Sequence, residues 1–192
     1  MTRVRYHWLK LCVRAALLFG RNQQATALFD ELLLLAPGDA YTLASRGHMK
    51  AQLGDRPGAI ADFRAVTIAS PDRAEAWFNL GFLLEQEGAI DEAETVFRRA
   101  IALDERLDKA WYGLGLCLIR QHRFDDAVAA LKRNTELQPM SPFGWYQLAR
   151  VHVDRQQPEE AKKIIDHLKG FEPKVAAQLE RETGLVSASA QA

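Results

Sequence analysis

Five histidines, two cysteines and several adjacent carboxylates are the side chains of this 192-residue chain best suited to catalysis or metal binding. His7, His48, His122, His152 and His167 are scattered, and none has a Cys or carboxylate partner at a recurrent metal-ligand spacing. Cys12 and Cys117 stand far apart, without the neighbours that a zinc site, a redox motif or a disulfide framework requires, and this fits a reducing compartment. Asp125-Asp126 and Glu159-Glu160 resemble acid/base pairs. They fall where helices are expected to begin, however, and there negative side chains favour the positive end of the helix dipole. The chain has no Gly-rich phosphate loop, Gly-x-Ser-x-Gly elbow or His-Glu-x2-His pair. The expectation is a protein that is not an enzyme and that holds no metal and no cofactor.

Composition narrows the alternatives. A hydrophobic content of 48% is that of a folded protein, and 25 basic against 25 acidic residues leave no global field to hold a polyanion, which disfavours general nucleic-acid binding. No apolar stretch approaches the roughly 20 residues of a membrane-spanning helix. At the N-terminus, Lys10 and Arg14 interrupt what would be the apolar part of a secretory signal, and no small-x-small cleavage site follows. Leu-Lys-Leu before Cys12 is also a poor lipoprotein signal. A cytoplasmic location is expected.

The elements that position all these side chains follow from an internal period. Trp77, Trp111 and Trp145 are spaced by 34 residues, and the same interval carries Ala25, Ala59, Ala93, Ala127 and Ala161. In phase run Phe29, Phe63, Phe97, Leu131 and Ile165, and then Pro37, Pro71, Pro139 and Pro173, with Glu105 as the departure. Gly47, Gly81, Gly115 and Ala149 form a further column, broken by Val13. Within each interval the apolar positions recur at helical spacing twice. Trp77, Leu80, Gly81 and Leu84 make one stripe, and Ala93, Val96, Phe97, Ala100 and Leu103 make a second. Gly20, Gly54 and Gly88 fall between the stripes, where a residue free to take positive φ turns the chain, and His122 and Gln156 stand in the later turns. Pro57 and Pro158 fit the first turn of a second helix. Each interval therefore predicts a helical hairpin with small residues where its helices approach.

The pattern Trp77-x2-Leu80-Gly81-x2-Leu84, Ala93-x3-Phe97, repeated as Trp111-x2-Leu114-Gly115-x2-Leu118, Ala127-x3-Leu131, Pro139, resembles the tetratricopeptide repeat family. Five units, at 6–39, 40–73, 74–107, 108–141 and 142–175, place the repeats within residues 1–175. The first two are degenerate, with Leu9 and Leu43 in the Trp column and Arg46 in the Leu column. The resemblance implies an all-α fold, a right-handed superhelix (α-solenoid) of five antiparallel helix-turn-helix units. A capping helix is expected over 174–184, stopped by Gly184, and a flexible tail over 185–192.

The same resemblance implies a concave groove lined by the first helix of each unit. Counted onto this sequence, its wall takes His7, Lys10, Arg14 and Leu17 from the first unit. The residues expected to bind a partner are Tyr41, His48, Phe78, Asn79, Phe82, Lys109, Tyr112, Leu116, Arg120, Phe143, Tyr146 and Arg150. The family's clamp for a chaperone C-terminal carboxylate is not expected, because its best register gives Ala44, His48, Asn79, Lys109 and Gly113, and only Asn79 and Lys109 match. The aromatic residues instead suit a partner segment with apolar anchors.

The implied function is that of a non-catalytic adaptor holding a protein or peptide partner. The alternatives are a self-associating scaffold and a non-catalytic subunit or chaperone of an enzyme or secretion complex. One asymmetry remains. Arg3, Arg5, Lys10, Arg14 and Arg21 precede the first acid, Asp30, and with Trp8 and the nearby leucines they form a basic amphipathic helix. Such a helix suits an anionic membrane or an acidic partner, although its phase with the repeat also fits an ordinary first helix.

Overall fold

The apolar spacing is realised as α-helices throughout the described residues, 2–185, of the computed structural model. In chain order these are α1 Thr2–Leu18, α2 Asn22–Leu35, α3 Ala40–Gln52, α4 Arg56–Ala69, α5 Ala74–Gln86, α6 Ile90–Leu103, α7 Asp108–Arg120, α8 Phe124–Leu137, α9 Pro142–Asp154, α10 Pro158–Lys169 and α11 Pro173–Thr183. The fold is an all-α helical repeat, and no strand occurs among the described residues. Residues 186–192, most of the expected tail, lie outside them.

Two compact units divide the chain at residues 89 and 90, inside the third 34-residue interval, so that α5 ends the first unit and α6 begins the second. In the first unit, α1 packs on α2 and α3 on α4, and the hairpins are joined by contacts of α2 with α3 and of α4 with α5. In the second, α6 packs on α7, α7 pairs with α8 and α9 with α10, and α11 lies against α9 and α10.

The alanine column explains why these helices pack closely. Ala25, Ala59, Ala93, Ala127 and Ala161 are all fully buried, and at Ala25, Ala59, Ala127 and Ala161 a larger side chain would push the paired helices of the same unit apart. The aromatic column fills the remaining space. A Cβ on Gly47 would lie 3.0 Å from the ring of Phe63, and one on Gly113 would overlap the ring of Phe97, which thus reaches from α6 onto the next first helix.

All five hairpin turns use one device. After α1, α3, α5, α7 and α9 the turn residue has positive φ, at Gly20 (65°), Gly54 (85°), Gly88 (80°), His122 (57°) and Gln156 (58°). In each turn the amide after that residue bonds back to the helix, as in Asp55 N–H to Lys50 C=O at 2.9 Å and Arg123 N–H to Leu118 C=O at 2.9 Å. This paired-bond C-cap satisfies carbonyls that the helix end would orphan. Gly184 (φ 69°) ends α11 in the same region, as expected.

The tryptophan column does more than pack. Trp77, Trp111 and Trp145 are half-buried, and each indole N–H donates to the carbonyl six residues earlier, on Pro71 (2.9 Å), Glu105 (3.0 Å) and Pro139 (2.8 Å). The loop before the helix thus supplies each indole N–H with an acceptor. Because the acceptor is main-chain, Glu105 serves as well as proline.

Candidate functional site

The site is built from the helix faces that the hairpin packing leaves uncovered. In the first unit the second helices bury Phe29, Leu32 and Phe63, while first-helix positions one turn apart stay open. Two of the cavities there are lined by more than one helix and take in expected binding residues. The larger, of about 410 Å³, lies between α1, α2 and α3. Its floor is apolar (Val13, Leu17, Phe29, Leu32), and its rim carries Lys10, Arg14, Tyr41, Thr42 and Ser45. The Lys10 ammonium stands 4.7 Å from the ring centre of Tyr6 and 5.9 Å from that of Tyr41, a cation–π arrangement that presents the charge at the rim.

The smaller cavity, of about 240 Å³, is lined by His48 and Ala51 of α3, Phe63 of α4, and Phe78, Asn79, Phe82 and Leu83 of α5. Phe78 and Phe82 stack with ring centres 6.3 Å apart, and the His48 ring meets that of Phe63 edge-on at 4.9 Å. Burial holds the His48 imidazole below its ordinary pKa of 6.5, which favours the neutral ring beside these apolar side chains. Four of the expected binding residues, His48, Phe78, Asn79 and Phe82, are thus brought to one cavity, and Tyr41 lies on the other. Lys10, Arg14 and Leu17 lie outside the expected binding set although they occupy equivalent first-helix positions, and the structure gathers them around Tyr41.

In the second unit the expected residues lie on α7 and α9. Lys109 and Arg120 are exposed and Tyr112 and Leu116 half-buried on α7, while on α9 Phe143 and Arg150 are exposed and Tyr146 is half-buried. Two of these are engaged by the last helix. The Tyr146 hydroxyl donates to Glu182 Oε2 at 2.6 Å, Arg150 Nη1 donates to the same hydroxyl at 3.3 Å, and the Arg150 guanidinium lies 4.0 Å from Glu182. The hydroxyl of Tyr146, together with Gln178, holds the Glu182 carboxyl below the usual carboxylate range. Glu182 occupies the polar side of α11, and no periodic signal marks it as a partner of α9.

The aromatic set is therefore uneven: Tyr41, Phe82 and Phe143 are exposed, and Phe78, Tyr112 and Tyr146 are half-buried. Among the described residues no group of three or more His, Cys, Asp or Glu is placed to hold a metal ion, and no helix is long and apolar enough to cross a membrane. His122 serves a turn. His152 is buried with Nδ1 2.9 Å from Gln157 Oε1, and Cys117 is a buried free thiol.

A tetratricopeptide repeat model matches residues 45–108, and a model described as anaphase-promoting complex, cyclosome, subunit 3 matches residues 86–168. No curated protein matches the chain by sequence. Several solved structures are similar along nearly their whole length. A crystal structure of MamA is 19% identical with a TM-score of 0.80, covering 96% of this chain and 97% of that one. Residues 41 to the end of MamA from Desulfovibrio magneticus RS-1 are 20% identical with a TM-score of 0.77, covering 92% and 96%. YrrB, described as a TPR protein with an unusual peptide-binding site, is 19% identical with a TM-score of 0.76, covering 88% of each chain.

Proposed function

Because the chain belongs to the tetratricopeptide-repeat family, we propose that it is a non-catalytic interaction protein that holds a segment of a protein partner on the exposed faces of its first helices. The observation that carries this reading is two cavities of the first unit, the ones that take in Tyr41 and Phe82. One is apolar-floored and cation-rimmed around Tyr41, and the other is formed by Phe78, Phe82 and His48. Aromatic-lined cavities of this kind suit apolar anchors of a bound segment, and the rim cations of the larger one suit an acidic residue beside them. The unusual peptide-binding site of YrrB, a protein of the same fold, supports the same use. The reading needs no cofactor, and it takes the protein to be cytoplasmic.

The test is capture of partners from the native cell by the wild-type chain and by Tyr41→Ala with Phe82→Ala. Both side chains are exposed, so the fold should be unaffected. A stoichiometric partner held by wild type and lost by the double variant, at equal helical circular dichroism, supports the reading. Equal retention of every partner rejects it.

A further inference from the structure

Helix α1 is apolar on two faces, and the fold covers only one of them. Leu9, Val13 and Ala16 are buried against Ala25, Phe29 and Leu32 of α2. On the other side, Val4, Trp8, Leu11 and Leu18 recur at intervals of four, three and seven residues, which keeps them within one narrow stripe of an α-helix. They are 76%, 59%, 61% and 82% exposed, and Phe19, at 70%, extends the stripe past the helix end. No core position of the repeat requires these side chains to be apolar, so the repeat does not account for the stripe.

The charges beside it point to what covers it. At 100° per residue, Arg3, His7 and Arg14 line one edge and Arg5 the other, Arg21 follows the helix, and no acid occurs in the first 29 residues. Arg5 is the member of this set that meets an acid, Glu31 of α2 at 3.2 Å. An unbroken hydrocarbon stripe with an indole in it and cations along its edges matches the depth order of a lipid surface. Acyl chains lie innermost, the carbonyl and headgroup level suits Trp8, and phosphates reach the arginines. We propose that α1 lies along an anionic phospholipid surface through Val4, Trp8, Leu11, Leu18 and Phe19, and tethers the repeat array to it. The surface adjoins the larger first-helix cavity, whose rim also carries Arg14.

The experiment is co-sedimentation of the full chain with vesicles of phosphatidylcholine, alone or with about one-third phosphatidylglycerol, together with the elution volume of the lipid-free chain. The expected result is binding at least about tenfold stronger to the anionic vesicles, weakened by salt. Leu11→Asp with Leu18→Asp should abolish it while helicity and elution volume stay unchanged. Arg3→Glu with Arg14→Glu, which keeps the stripe, should remove the preference for anionic lipid. Binding that is equal for wild type and both variants overturns the proposal, as does the absence of vesicle binding. So does a lipid-free wild-type dimer that the Leu11/Leu18 variant dissociates, because the stripe would then be a seam between copies.

Discussion

The guanidinium of Arg46 forks onto the carboxylate of Asp62, with Nε to Oδ2 at 2.8 Å and Nη2 to Oδ1 at 2.5 Å, in two columns that are apolar elsewhere in the repeat. The other units place Cys12, Leu80, Leu114 and Leu148 in the Arg46 slot, and Leu28, Val96, Ala130 and Ile164 in the Asp62 slot. Lys50, also in a mostly apolar column, adds a contact of 3.1 Å to Asp62, and Arg46 reaches Asp30 of α2 at 2.7 Å. The second hairpin has thus exchanged part of its hydrocarbon core for a charge cluster around a carboxylate whose side chain is only 4% exposed.

Removing one member of such a cluster strands the others. Asp62→Ala should lower stability by about 3–5 kcal/mol, because Arg46 and Lys50 would stay half-buried without their shared counter-charge. The triple variant Arg46→Leu, Lys50→Leu and Asp62→Val, which restores the column types, should be as stable as wild type or more so. Urea unfolding of both variants checks this. A triple variant as weak as Asp62→Ala would show that the cluster stabilises the hairpin more than apolar packing can.

His122 and Gln156 hold a left-handed conformation that glycine adopts in the first three turns. Each of His122→Gly and Gln156→Gly should therefore raise stability by about 0.5–1 kcal/mol, and Gly88→Ala should lower it by a similar amount. Thermal melts of the three single variants give the signs directly.

Packing predicts a contrast between two glycines. A Cβ on Gly113 would overlap three ring carbons of buried Phe97, whereas one on Gly38 would meet open space. Gly113→Ala should cost about 1–3 kcal/mol through overpacking, and Gly38→Ala should fall within about 0.5 kcal/mol of wild type. Denaturation midpoints measure both.

Acid should weaken the second unit through Glu94. Burial pushes this carboxyl up, but hydrogen bonds from Arg98, Gln121 and Arg123 outweigh that and hold its pKa below the ordinary 4.5. The folded state therefore binds the proton less readily than the unfolded chain. Its contribution to stability is full above the ordinary carboxylate value and is lost as pH falls through the lower folded value. Glu94→Gln should flatten the acid limb of a stability–pH curve over that window.

Most of the fold is legible in the sequence because it repeats. A column such as Ala25 to Ala161 states a packing constraint five times, and the turn slot holding His122 can be located from Gly20, Gly54 and Gly88 although histidine itself carries no turn signal. What is not legible lies outside the period. The Tyr146–Glu182 bond joins a repeat helix to α11, which has no counterpart in other units, and the gathering of Lys10 and Arg14 around Tyr41 depends on the angle between two helices. The tryptophan column is visible, but its role is not, since spacing marks an indole as recurrent without indicating that its N–H is bound to the preceding loop.

The most direct test of first-helix binding is a titration of the captured partner against two variants that each truncate a pair of exposed side chains. Tyr41→Ala with Phe82→Ala alters first-helix aromatics, whereas Leu34→Ala with Ile68→Ala alters exposed side chains of the second helices α2 and α4. The account predicts that the first pair weakens binding at least tenfold, about 1.4 kcal/mol, and that the second leaves it unchanged. Loss of affinity confined to Leu34→Ala with Ile68→Ala would contradict it and place the partner on the second-helix face.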